Sequence, residues 1–325
     1  MIQTTDAPPT EPAEQASTPF SSDRDSWLAN LDRVGDEAGY FQPLGTRHWA
    51  FFADEDATLL VTFETAQSVR ARPDGLPEGY AIAKARGWSH LCLIAEGPTW
   101  YRDPAMYGFF DRLVDDTFFE DFDRVVFYGA GMGGYAACAY SVAAPGATVL
   151  AVQPVATLDP AIAGWDPRHA EQRRLCFTDR YGYAPDMTDG AGRVFLLFDP
   201  EQQLDAMHAA LFAARHVTAL RCRRLGARIE SALANIGILT PLVEAAAEGR
   251  LTPALFHRLY RKRRTYGPYL RALAADLDAN DRTLLAGLLA RNVTSRMQAP
   301  RFRQKLSQLA ADGLVLPPQR KLATP

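Results

Sequence analysis

Residues 124–137, Arg-Val-Val-Phe-Tyr-Gly-Ala-Gly-Met-Gly-Gly-Tyr-Ala-Ala, run from an apolar stretch into a glycine-rich turn and on into a small-residue helical stretch. In acyl-transfer chemistry this order of elements holds a nucleophile at the apex of a sharp strand-to-helix turn. Small residues two positions to either side let the strand and helix approach closely. Here the flanks are Gly129 and Gly133, and the apex is Gly131. Glycine accepts the strained dihedrals of such a turn but has no side-chain atom to attack a carbonyl. Met132 and Gly133 open the following helix, and their backbone N–H groups would suit an anion or a developing oxyanion.

A nucleophile also needs an acid and a base on the turns after later strands. The turn after 193–198 offers two carboxylates, Asp199 and Asp205. The turn after 217–222 reads Arg223-Arg-Leu-Gly-Ala-Arg-Ile229, so the base position falls at Ala227, without histidine. Of the six histidines, His48, His90 and His216 sit at the amino ends of expected strands, on the edge away from Gly131. His169 lies in an expected helix and His257 in a basic C-terminal region. His208 follows Asp205 by three residues and shares its helical face. Asp199 or Asp205 with His208 thus forms an alternative noncovalent relay, against a local ion pair or cap as the commoner use of that spacing.

Glu64, after the apolar run 57–63, and Trp100, Tyr101 and Arg102, after 90–95, are expected on the same edge as Gly131. With Met132 and Gly133 they would rim a crevice for a small molecule, whose identity the sequence leaves open. The Glu64 charge disfavours an anionic ligand there. The competing reading has Trp100 and Tyr101 plugging the crevice and Arg102 paired with Asp103 or Glu96. No cofactor or metal is expected. Cys92, Cys138, Cys176 and Cys222 lie far apart, three of them in apolar runs, and read as reduced core residues.

Tyr128-Gly-Ala-Gly-Met-Gly-Gly-Tyr-Ala-Ala137 resembles the Y-G-x-S-M-G-G-Y-A-A turn of α/β-hydrolase-like proteins, a resemblance that covers residues 45–238. Leu60–Glu64, Gly87–Cys92, Thr99–Pro104, Arg180–Asp186 and Asp205–Ala209 are similar to an alphaproteobacterial group labelled phosphoadenosine phosphosulfate reductase. The resemblance implies an α/β-hydrolase-like three-layer sandwich with a mainly parallel sheet and, with Gly131 at the apex, a pseudoenzyme with a degenerate nucleophile elbow. Reductases of that name carry an S-G-G-K-D-S-like nucleotide loop and a reactive cysteine near the C-terminus. The glycine cluster 129–134 contains neither Ser nor Lys, and no cysteine follows Cys222, so the residues speak against reductase chemistry.

The elements that must position these residues follow from periodicity. The chain has 325 residues, 47% hydrophobic and 22% charged, enough for a full core. From 47 to 235, short apolar runs alternate with amphipathic segments, the pattern of a parallel sheet covered by helices. Strands are expected at 47–52, 57–63, 90–95, 124–129, 147–152, 193–198 and 217–222. Helices are expected at 77–87, 104–119, 132–144, 167–180, 202–214 and 229–237. Beyond Pro241 come helix-length segments alone, at 241–248, 252–264, 268–278, 281–292 and 301–311. The expected organisation is a disordered tail over 1–24, a sheet domain over 25–240, a basic helical extension over 241–315 and a tail over 316–325.

Neither a membrane-length apolar run nor a basic-then-apolar leader is present, which leads to the expectation of a cytoplasmic protein without membrane contact. Net charge is −3, but residues 250–325 hold 15 Lys and Arg against 4 Asp. The segment His257–Tyr266 mixes cations with aromatics, while Leu255 and Leu259 share a helical face. A homo-oligomer contact or an acidic partner through 250–311 is therefore expected ahead of nucleic acid.

Overall fold

The computed structural model describes residues 23–318. Apart from their inner ends, the tails expected at 1–24 and 316–325 lie outside these residues. The chain divides into two compact units at Asp123/Arg124.

The first unit contains α1 (Arg24–Ala38), β1 (Gly39–Leu44), β2 (His48–Ala53), β3 (Thr58–Thr65), α2 (Ala66–Arg70), α3 (Glu78–Arg86), β4 (Ser89–Ala95) and α4 (Pro104–Asp115). Asp23 caps α1 by accepting the Ser26 N–H. The strand order is β1–β2–β4–β3. β2 is antiparallel to both β1 and β4, whereas β3 runs parallel to β4 with Thr62 opposite Cys92. Alternation along the strands supplies two apolar faces. Trp49, Phe51, Cys92 and Ile94 pack with Trp27, Leu31 and Val34 of α1, Val69 of α2 and Tyr80 of α3. On the other face Phe63 stacks with Phe110 of α4, and Phe52 meets Phe118 edge-on.

The second unit begins with β5 (Arg124–Ala130), α5 (Met132–Tyr140), β6 (Thr148–Val152), α6 (Pro160–Ala163), α7 (Ala184–Met187), β7 (Arg193–Phe198), α8 (Gln203–Leu211) and β8 (Val217–Arg221). It continues as α9 (Ile229–Ile236), α10 (Leu239–Ala247), α11 (Pro253–Tyr260), α12 (Gly267–Ala279), α13 (Thr283–Thr294) and α14 (Pro300–Ala311). β5 to β8 are parallel and adjacent in chain order. α5 covers the Gly129 face: a Cβ at Gly129 would lie 2.2 Å from the Gly133 carbonyl oxygen, so only glycine permits this approach. Tyr128 points the opposite way and donates its hydroxyl to Glu230 of α9. α10 also packs on β5 and β6, at the point in the chain where the expected boundary at 240 falls.

Each unit is thus a sheet between helices. The antiparallel β2 beside β4 and the parallel run β5–β8 are strand arrangements of the α/β-hydrolase type, extended by the helices α11–α14. Among the described residues no single helix is long and apolar enough to cross a membrane. The apolar pair α9 and α10 is bent by 96°.

All seven expected strands are present within two residues of their expected ends, but α1 and β1 were not anticipated. The helix expected at 167–180 is instead a 3-10 stretch, Pro167–Arg174, interrupted at His169. None of its residues is buried, so no apolar stripe holds a regular helix there. α4, α5 and α11 end sooner than expected, each followed by a 3-10 turn. In α11 the buried side chains are Phe256 and Tyr260, while Leu255 and Leu259 are half-buried.

Candidate functional site

Gly131 occupies the turn between β5 and α5 with φ 56° and ψ −116°, a conformation that L-residues adopt only under strain. Its N–H bonds Val152 O at 2.9 Å and its carbonyl accepts the Tyr135 N–H at 3.0 Å, so the turn is locked from both sides. A Cβ on Gly131 would have no atom within 4 Å. The position thus combines a strained strand-to-helix turn with open space in front of it. Met132 and Gly133 supply the first N–H groups of α5.

The turns after β6, β7 and β8 lie at the same edge of this sheet, and their polar groups are committed to one another. Asp199 is 1% exposed; its Oδ1 accepts the Glu201 N–H at 3.0 Å and its Oδ2 the Gly226 N–H at 2.9 Å. Asp199 thereby closes its own turn and pins the turn after β8. Ala227 is exposed and has no group to exchange a proton. Gln153, at φ 49°, donates to Asp205 Oδ2 at 2.7 Å and accepts the Ile229 N–H at 2.9 Å. Asp205 Oδ1 also accepts from Arg168 at 2.6 Å.

His208 is fully buried. Its Nδ1 accepts the Ala156 N–H at 3.2 Å, which makes Nε2 the protonated nitrogen and the donor to Asp166 Oδ2 at 3.0 Å. Asp166, not Asp205, is therefore its hydrogen-bond partner, and both ring nitrogens are in use. Burial lowers the His208 pKa despite the Asp166 charge. Burial would raise the Asp166 pKa, but hydrogen bonds from Arg168 and His208 hold it well below the usual carboxylate range. Asp166 and Arg168 carry this network; sequence reading missed them because Asp166 and His208 lie on different elements 42 residues apart.

Glu64, Trp100, Tyr101 and Arg102 belong to the first unit, and Met132 and Gly133 to the second. Within its unit, Glu64 is half-buried at the end of β3 and accepts the Glu78 and Gly79 N–H groups at 2.9 Å each, capping α3. Trp100 and Tyr101 are buried at φ 54° and 55°, two successive left-handed residues in the turn after β4. The Tyr101 hydroxyl donates to the Glu64 carbonyl at 2.9 Å. The Arg102 guanidinium lies 5.0 Å from the Tyr107 ring centroid.

His48 requires a correction. It does stand at the amino end of its strand, but β2 is antiparallel and His48 pairs with Ala95, so it lies at the carboxyl end of β4. There its Nε2 meets Thr99 Oγ1 at 2.7 Å, and its Nδ1 faces Asp103 at 3.9 Å. Burial lowers its pKa to about 4. A strand's direction is set by its neighbours and is not visible in its own residues.

No family model and no curated relative matches the sequence. Among solved structures, the chain is similar to a hyperthermophilic esterase from the archaeon Pyrobaculum calidifontis, at 12% identity over 73% of this chain and 90% of the esterase, TM-score 0.38. It is also similar to mouse alpha/beta hydrolase domain-containing protein 10, at 11% identity over 64% of this chain and 98% of that one, TM-score 0.40. Est1E from Butyrivibrio proteoclasticus is similar at 12% identity over 67% and 99% of the two chains, TM-score 0.40.

Proposed function

We propose that this α/β-hydrolase-fold protein is a non-hydrolytic binding protein, a pseudoenzyme whose nucleophile elbow keeps its shape and lacks its nucleophile. The observation that carries the reading is Gly131, held at φ 56° and ψ −116° with open space where a side chain would stand. Three further features support it. Asp199 is consumed by two backbone N–H groups, position 227 is alanine, and neither nitrogen of His208 is left to take a substrate proton. The first turn of α5 retains the N–H groups and dipole end that bind a carbonyl or anion without turning it over. The same geometry weighs against a relay of Asp199 or Asp205 with His208, because general-base catalysis needs an imidazole nitrogen within reach of substrate. The chain itself carries no reductase motif, since its glycine cluster 129–134 has neither Ser nor Lys and no cysteine follows Cys222.

Pre-steady-state mixing with an activated ester tests the reading. A flat trace at the uncatalysed rate is expected, and a burst of one product equivalent per chain would overturn it.

A second reading concerns the C-terminal helices. Arg258, Arg261, Lys262 and Arg264 are exposed around the end of α11, next to Arg263, which lies 4.3 Å from the Tyr260 ring centroid. This surface suits an acidic partner or a second copy of the chain. Binding that weakens steeply with salt supports it; binding unchanged by removal of residues 250–325 removes it.

A further inference from the structure

In the first unit, β3 and β4 run parallel, with Leu60 opposite His90, Thr62 opposite Cys92 and Glu64 opposite Ile94. Alternation places Thr62, Glu64, His90 and Cys92 on one face of this pair. A carboxylate oxygen of Glu64, a ring nitrogen of His90 and the Cys92 sulfur all lie within 4.8 Å of one another. We propose that Glu64, His90 and Cys92 form a site for a divalent transition-metal ion of borderline softness, such as zinc.

The donor set is the first argument. Carboxylate, imidazole and thiolate are the three ligand types of zinc, and tetrahedral bonds of about 2.0–2.3 Å need the donor atoms to close by roughly 1.5 Å at most. Charge is the second. His90 and Cys92 are fully buried, and one carboxylate with one thiolate balances a dication, leaving no net charge in the interior. The surrounding shell is the third. The Glu78 and Gly79 N–H groups orient the Glu64 carboxylate, one oxygen of which lies within 4.8 Å of the other two donor atoms. Gly79 closes over the donors so tightly that a Cβ there would lie 2.4 Å from His90 Nε2. His90 Nδ1 is buried without a hydrogen-bond partner, so no acceptor or donor fixes the ring tautomer, and the neutral ring can carry its proton on Nδ1 while Nε2 offers its lone pair to a cation.

The Thr62 hydroxyl now bridges the donors, 2.9 Å from His90 Nε2 and 3.3 Å from Glu64 Oε1. A cation replaces that bridge, leaving the fourth position to the hydroxyl or to water. Binding releases the Cys92 thiol proton to solvent. The ion would staple β3 and β4 to the first turn of α3, a role independent of the vacancy at Gly131.

The test uses the full chain carrying Cys176→Ser, since Cys176 is an exposed thiol that would also take metal. After removal of metal with a chelator, cobalt(II) is titrated in and thiolate-to-cobalt absorption is followed. One equivalent should saturate the band, and zinc should displace it. Cys92→Ser should abolish the band, and Glu64→Gln should weaken cobalt binding at least tenfold. Glu64 is half-buried, so that variant keeps the test decisive if Cys92→Ser fails to fold. No band in the Cys176→Ser protein, a band that survives Cys92→Ser, or unchanged affinity in Glu64→Gln would overturn the proposal.

Discussion

The β5–α5 turn and the His208 network belong to the same unit and are opposites. The turn has a strained backbone and open space at Gly131 but no functional group. The network of Asp166, Arg168, Asp205, Gln153 and His208 has functional groups in quantity, every one tied to a protein partner. Geometry and chemical groups are thus separable in this fold: the backbone of the turn is held by packing at Gly129 and Gly133, whereas reactivity needs a group left without an internal partner.

Removing one member of the network should show its structural role most strongly. Asp166→Ala leaves Arg168 and buried His208 without their shared acceptor and is expected to destabilise by about 3–5 kcal/mol in urea unfolding. A loss near zero would mean that the network is not holding the segment between β6 and β7.

The turn should respond according to which of its glycines is changed. Gly129→Ala drives a methyl into backbone at Gly133 and is expected to cost about 3 kcal/mol, the upper end of overpacking. Gly131→Ser meets open space and carries only the dihedral strain, about 1–2 kcal/mol. Equal losses at the two positions would contradict the open apex.

Acid should probe each unit through a buried neutral histidine. The unfolded chain takes up protons as pH falls through the ordinary histidine value of 6.5, while folded His48 resists until about pH 4 and folded His208 resists below 6.5. The unfolded state therefore binds more protons in that window, so stability is full above pH 6.5 and declines as pH falls. His48→Gln should reduce the slope between pH 6.5 and 4 by up to about 1.4 kcal/mol per pH unit. An unchanged slope would show that His48 titrates normally in the folded state.

The sheet was legible in the sequence because β-branched and apolar runs such as Arg193–Phe198 and Ser89–Ala95 have the length and punctuation of buried strands. β1 was not, since Gly39-Tyr-Phe-Gln-Pro-Leu44 contains a proline that a strand interior rejects; β1 tolerates it as the first strand in the sheet order. The place of Gly131 at a strand-to-helix turn could be read from the apolar run before it and the small residues after it. What occupies the other polar groups could not: the Asp199 bond to Gly226, the His208 bond to Asp166 and the meeting of Glu64 with His90 and Cys92 all join separate elements. Local spacing suggested Asp205 for His208, and a partner 42 residues away took its place.

Intact-mass analysis after exposure to a fluorophosphonate probe tests the central claim most directly, applied to the wild-type chain and to Gly131→Ser. The account predicts no adduct on the wild type and none above background on the variant, because a hydroxyl restored at the apex still has no imidazole to take its proton. A stoichiometric adduct on the wild-type chain would contradict it.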